Sequence, residues 1–190
     1  MDRLQTLDYA LGELRRVVGT LDDSVMDGPT NCDPWTVRRL ASHALNNELV
    51  WAGLVTGQHL VAVEDAMGAV PIEGDLDPVA ADVTAQAAAL WRTDGILDAA
   101  HATPFGELPG SVVIDFAIID AAAHAWDLSS SVGRPLEFDQ SRIDVLSQVV
   151  EATCTDAARD HDLIKPPTAV PSDATDTERL MAAAGRAVRR

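Results

Sequence analysis

Residues 118–128 read IIDAAAHAWDL, and three of them can do chemistry: Asp120, His124 and Asp127. At 3.6 residues per turn these positions share one narrow stripe of a helix. The positions between them are apolar or small, so the stretch reads as core. An ionised carboxylate buried there without a partner would cost on the order of several kcal/mol. The sequence must therefore supply compensation. A divalent metal shared by Asp120 and His124 would do so, as would an arginine, or a hydrogen bond within the pair.

A metal needs more than two ligands, and the other histidines are His43, His59, His101 and His161. His59 and His161 fall at expected helix ends and His101 in an expected loop, so all three read as surface residues. His43 sits mid-helix in LASHALNNELVW, and its neighbours Leu40, Ala44 and Leu54 turn it inward. Together His43, Asp120 and His124 offer two imidazoles and one carboxylate from two helices. Three protein ligands leave coordination positions open, as catalytic metal sites do. Glu48 lies five residues after His43, about 140° round the helix, and is expected to face elsewhere.

Around this set stand residues with supporting roles. Asp127 either orients a ligand imidazole and accepts a proton, or pairs with an arginine from a neighbouring helix. Arg38 and Arg39 can bind a carboxylate of a cofactor or substrate. Asn46 and Asn47, three and four residues after His43, are placed to line the same cavity. Cys32 reads as a small packing residue, because no nearby base is indicated that would activate its thiol. Trp35 and Trp126 read as packing.

The elements that must carry these residues are helices. Leu4, Leu7, Leu11, Leu14, Val18 and Leu21 form a seam of alternating three- and four-residue spacing, the pattern of a helix lying nearly parallel to its neighbours. A second helix is expected from DPWTVRRL, with Asp33 as cap and Pro34 in the first turn, to Gly57. A third is expected from Asp77-Pro78 to near Gly95, and a fourth over about residues 111–131, closed by Gly133 and Pro135. The fifth runs from about Asp139 to His161. After the Pro-rich KPPTAVPSD, Thr175 and Glu178 make a capping box for a short last helix. No alternating β-branched run predicts a strand. The fold class is therefore all-α, a four-helix bundle with an added helix and a C-terminal extension. Residues 1–165 are expected to form the metal-binding bundle. Residues 166–190 are a Pro-rich connection and a short helix packing on or near it.

Composition narrows the partners. The chain has 190 residues, 47 % of them hydrophobic, which suits one globular domain. A formal charge of −16 repels phosphate backbones and anionic membranes, so neither nucleic acid nor membrane is an expected partner. The basic end GRAVRR reads as a solvated tail. The charged N-terminal stretch is unlike a signal peptide, and no apolar run has the ~18 residues of a membrane span. Cys32 and Cys154 form no CxxC pair, and free thiols in a cytoplasmic protein are expected.

Two stretches carry a family resemblance. NCDPWTVRRLASHALNN, followed about eighty residues later by DAAAHAWDLSSSVGRP, resembles the DinB-like metalloprotein superfamily. More narrowly, it is similar to the actinobacterial branch related to mycothiol-dependent maleylpyruvate isomerase. The matching positions are Cys32, Trp35, Val37, Leu40 and His43, then His124, Trp126, Asp127, Leu128 and Gly133; the ending VPSDATDTERLMAAAGR also resembles that branch. The resemblance implies a DinB-type bundle whose divalent metal is held by His43, Asp120 and His124. Zinc is the first expectation, with nickel or iron as alternatives. One position departs: the isomerase has Glu where this chain has Asp120.

In function the resemblance implies a thiol-dependent transferase or isomerase, with a mycothiol-like small thiol and a small electrophile as partners. Added to a double bond, the thiol would permit rotation and leave again; in transfer it would stay on the product. Two other readings stand beside this one: a non-catalytic, metal-stabilised bundle that binds a small ligand, and a metal-dependent hydrolase that needs no thiol. A homodimer is compatible with such a bundle.

Overall fold

The computed structural model describes residues 2–68, 70–103, 106–160 and 164–188. Its helices are α1 (Arg3–Val18), α2 (Val37–Thr56), α3 (Val63–Ala66), α4 (Leu76–Leu90), α5 (Gly110–Ser131), α6 (Gln140–Thr153), α7 (Asp156–Asp160) and α8 (Asp176–Ala183). A hairpin of β1 (Ala100–Thr103) and β2 (Gly106–Pro109) precedes α5. Helices α1, α2, α4 and α5 form the bundle: α5 packs against α1 and α2, and α4 packs against the same two from the other side. Helix α6 lies on α5, and α8 on α6. Among the described residues no helix is long and apolar enough to cross a membrane.

The leucine seam explains the first contact. Leu7, Leu11, Leu14 and Val18 of α1 are buried against Ile114 and Ile118 of α5 and Leu40 and Leu45 of α2 in one continuous core. The ends of α1 differ from the periodic pattern, for Leu4 and Leu21 are only partly buried. Helix α5 is buried along nearly its whole length, its few charged groups included, and it is the helix enclosed by α1, α2 and α6.

Several element ends differ from the sequence expectation, each for a local reason. Helix α2 starts at Val37, with Thr36 as cap accepting from the Arg39 backbone N–H, and the Asp33-Pro34 bond is cis. Val37 N and Arg38 N donate to Gly28 O and Met26 O, which ties the entry to the preceding loop. Helix α4 is capped by Asp75, two residues before Asp77, and ends at Leu90. The expected fifth helix breaks at Cys154 into α6 and α7. The hairpin was invisible to side-chain periodicity because both strands are four residues long and mostly exposed. The Thr175–Glu178 capping box is present, and at Gly57 the αL conformation (φ 69°) ends α2 as its glycine predicts.

The C-terminal segment is attached firmly. Thr168 N donates to Ala182 O, the Phe138 N–H donates to Thr177 Oγ1, and Met181 is fully buried. At the other end of the site helix, Gly110 N donates to Ala99 O and Ser111 N to Leu97 O. A Cβ on Gly110 would stand 2.0 Å from Ile96 O, a collision with backbone. Gly110→Ala should therefore destabilise the fold by about 1–3 kcal/mol, the cost of overpacking. Gly12 lies inside α1 with nothing within 4 Å of its would-be Cβ, so Gly12→Ala should stabilise by about 0.5–1 kcal/mol. Urea unfolding of the two variants checks both signs.

Candidate metal centre

Helix α5 brings Asp120, His124 and Asp127 to one face, and α2 presents His43 and Asn47 to it. The His43 and His124 rings meet edge to face, 4.9 Å between centroids, and Trp35 covers His43 from the other side at 4.5 Å. One ligand atom from each of His43, Asp120 and His124 lies within 4.8 Å of the others.

His43 has a fixed tautomer. Its Nδ1 contacts the carbonyl of Ala66, the last residue of α3, and a carbonyl can only accept. Nδ1 therefore carries the proton and Nε2 is a bare lone pair. Burial, reinforced by the charge on His124, pushes His43 down to about 4, so the ring is neutral at pH 7.

His124 is held from both sides. Its Nε2 lies 3.5 Å from Asp120 Oδ1 and its Nδ1 3.3 Å from Asp127 Oδ2. Burial disfavours the imidazolium, but the two carboxylates outweigh it and lift His124 to about 9. Asp120 keeps 17 % side-chain exposure, and Asn47 Nδ2 donates to its Oδ2 at 2.9 Å. Partial burial works to raise this carboxyl; His124, His43 and Asn47 more than offset it and hold it below its ordinary value.

Asp127 is fully buried and is the most heavily bonded group of the site. Asn31 Nδ2 donates to Oδ1 at 2.8 Å, while Arg186 Nε (3.2 Å) and the Cys32 thiol (3.5 Å) donate to Oδ2. Burial opposes its charge, yet Arg186, His124 and Asn31 prevail and hold it near 2. The Cys32 thiol is pushed up to about 12 by burial and then by Asp127, so it is a protonated donor. Cys32, His124 and Asp127 also have ligand atoms within 4.8 Å of one another.

A cavity of ≈ 60 Å³ opens beside Asp120. Its apolar wall is Ile119, Ile164 and the stacked pair Trp51 and Phe116, 5.8 Å apart. Its polar lining includes Asp120, Cys154 and Arg186.

The sequence-predicted residues fall in three places. His43, Asp120, His124, Asp127 and Asn47 are brought together. Arg38 and Arg39 point to the loop that follows α2: Arg38 Nη1 donates to Ile72 O and Gly74 O, and the Arg39 stem packs on Gly68. Asn46 likewise donates to Asp65 O. His59 is exposed, His101 is tied to Ile96 O, and His161 lies outside the described residues. Three features were missed. Arg186, read as part of a solvated tail, is paired with Asp127. Cys32, read as packing, donates into the cluster. The burial of Glu48 was also not foreseen, though it is placed away from the cluster as its angle from His43 predicts. The GR ending within the family-like tail was a signal for Arg186; no local pattern indicated Glu48.

Comparison with known proteins bears on this geometry. The family model described as "Mycothiol maleylpyruvate isomerase N-terminal domain" matches residues 7–129, which include every helix of the bundle up to Asp127. The chain belongs to this family. Two uncharacterized proteins of Mycobacterium tuberculosis, MT0763 and Rv0738 from different strains, are each 31 % identical over 147 residues, 73 % of this chain and 72 % of the relative. The crystal structure of the mycothiol-dependent maleylpyruvate isomerase superposes with a TM-score of 0.63 at 17 % identity. That match covers 78 % of this chain and 66 % of the isomerase, and it establishes a shared fold. The expected DinB-like, four-helix architecture of this family is thus present.

The pair of buried charges sets the pH response of this family member without metal. His124 is raised from 6.5 to about 9, so its stabilisation is complete below pH 6.5 and is lost as pH rises through about 9. Asp127 is lowered from 3.8 to about 2, so its contribution is present above pH 3.8 and is lost as pH falls through about 2. Urea unfolding in the presence of chelator should show stability falling as pH climbs from 6.5 to about 9, and His124→Gln should flatten that slope. Arg186→Met should cost about 3 kcal/mol, because it strands Asp127 as a buried charge.

Proposed function

We propose that this protein holds one divalent cation on His43 Nε2, Asp120 Oδ1 and His124 Nε2, and that it catalyses addition of a small, mycothiol-like thiol to a small electrophile, giving isomerisation or S-transfer. The observation that carries the reading is the convergence of one ligand atom from each of these three residues within 4.8 Å, with the His43 Nδ1 contact to Ala66 O leaving Nε2 bare. The family supports the thiol and the reaction class.

The donor set suits zinc, and nickel or iron as well. The second cluster, Cys32, His124 and Asp127, is a poorer cation site. Arg186 already supplies its positive charge, and the Cys32 thiol stays protonated. A cation on the first cluster would act as a Lewis acid that lets a bound thiol exist as thiolate at neutral pH.

The chain's own groups do the rest. Asn47 fixes the Asp120 carboxylate by holding Oδ2, which leaves Oδ1 for the ligand face. Asp127 Oδ2 stands 3.3 Å from His124 Nδ1, a charge contact that would keep the proton on Nδ1 and leave Nε2 for the cluster. Arg186, whose Nη2 has no partner among the described residues, is the cavity's cation and would bind a carboxylate of the thiol or the electrophile. Arg38 and Arg39 were the sequence candidates for that task, but the Arg38 donors are engaged by loop carbonyls. Trp51 and Phe116 offer a flat apolar wall that would seat the body of the electrophile and exclude water. This chemistry belongs in the cytoplasm, where small thiols are kept reduced.

Elemental mass spectrometry on protein purified without chelator should find about one divalent ion per chain, strongly reduced in His43→Ala and His124→Ala. Binding displaces the His124 proton, so apparent affinity should rise at least about tenfold per pH unit below pH 9. Loaded protein should consume a thiol together with an electrophile such as a small unsaturated carboxylate. Turnover without thiol would instead establish the hydrolase reading, and metal uptake without any turnover the ligand-binding one.

A further inference from the structure

Trp35 touches a candidate ligand and has no part in the chemistry above. Its indole stands 4.5 Å from the His43 imidazole, centroid to centroid, with the rings tilted by 51°. The same imidazole meets His124 edge to face at 4.9 Å. Trp35, His43 and His124 therefore stand in a row, and the middle ring presents the bare Nε2. Core packing does not account for the indole, because Trp35 is only partly buried. An aliphatic side chain would cover the imidazole with less surface left in water.

The loop that carries Trp35 is fastened at several points. Trp35 N donates to Cys32 O at 3.0 Å, and Thr30 Oγ1 donates to Trp35 O at 2.8 Å. Asn31 and Cys32, in the same loop, donate to Asp127. Thr36, the next residue, caps α2. Backbone hydrogen bonds and the buried Asp127 charge thus set where the indole stands. His43 is held against it from the other direction, since its Nδ1 is tied to the Ala66 carbonyl.

This inference rests on the metal reading above. We propose that Trp35 is a positioning residue of the metal centre: it clamps the His43 ring so that Nε2 stays aimed into the cluster, and its π-electrons stabilise the positive charge that the imidazole takes on when Nε2 binds a divalent cation. No bond forms or breaks at Trp35. The attraction is of the cation–π kind, which acts within about 6 Å of an aromatic centroid, is strongest for tryptophan and grows in a desolvated site. His43 is buried, so water screens the shared charge little. A neutral imidazole gains only dispersion from the indole, whereas a cation-bound one gains the electrostatic attraction as well. Trp35 therefore favours the loaded protein over the empty one, which a packing residue does not.

Trp35→Phe and Trp35→Leu separate the two roles. Each is titrated with zinc against a chromophoric chelator, beside wild type. The expected result is graded: binding weaker by about threefold in Trp35→Phe, which keeps a smaller π-face, and by about 10–30-fold in Trp35→Leu, which has none. Zinc should also change the tryptophan fluorescence of wild type, because the charge on the ring beside Trp35 changes. That change should be missing from Trp35→Phe, where Trp51, Trp91 and Trp126 remain as the background. The fluorescence comparison decides even where the leucine variant does not fold. Leucine binding zinc as tightly as wild type, phenylalanine losing as much as leucine, or an identical fluorescence response in wild type and Trp35→Phe would each overturn the assignment and leave the metal reading intact. A wild-type protein that takes up no zinc would overturn both.

Discussion

The charge of Asp127 is the constraint on which the site depends. A fully buried carboxylate in an apolar helix is tolerable only when its oxygens are saturated, and here the donors come from three separate parts of the chain. Asn31 and Cys32 arrive from the loop before α2, Arg186 from beyond α8, and His124 from one turn earlier on α5. Each of these segments is positioned by the same charge. The loop that delivers Asn31 is also the one that sets where α2 begins, and the segment that delivers Arg186 forms one side of the cavity. Satisfying one anion therefore fixes the entry of one helix, the course of the C-terminal segment and the orientation of an imidazole.

That imidazole separates two environments. On its Nδ1 side lies a saturated, charge-balanced network with a cation already built in. On its Nε2 side lie Asp120, His43 and the cavity, with lone pairs that no protein donor fully uses. Helix α2 divides its labour in a similar way. Arg38, Ser42 and Asn46, at successive turns of one face, fasten the loop of residues 65–74 through Ile72, Gly74 and Asp65. His43, between them, uses Nδ1 for the same loop and turns Nε2 to the cluster. Rigid backing on one side of a ring is what makes its other side a directed donor.

Much of this was legible in the sequence, and the boundary is physical. The leucine seam of α1, the apolar α5 and the four-residue step from Asp120 to His124 are local periodicities, and each appears in the structure as its spacing predicts. The inward turn of His43 was legible for the same reason. What escaped were relations between distant segments. Nothing near Arg186 shows that its partner lies 59 positions earlier, and a basic chain end is ordinarily solvated. Glu48 is a different case: the 140° angle from His43 says only that it faces away from the site, and in a bundle where α2 is covered by both α4 and α5 that other direction is also interior. The hairpin escaped because eight backbone-paired residues carry no side-chain pattern.

The shortened acid at position 120 shows how such non-local relations change a site without changing its motif. Asp120 is one methylene shorter than glutamate, so its carboxylate stays close to α5. It nevertheless reaches both neighbours, because Asn47 on the facing helix takes Oδ2 at 2.9 Å while Oδ1 stands 3.5 Å from His124 Nε2. One oxygen is thereby committed to the scaffold and one is left as a donor. The short side chain thus keeps that donor close to α5, at the edge of the ≈ 60 Å³ cavity.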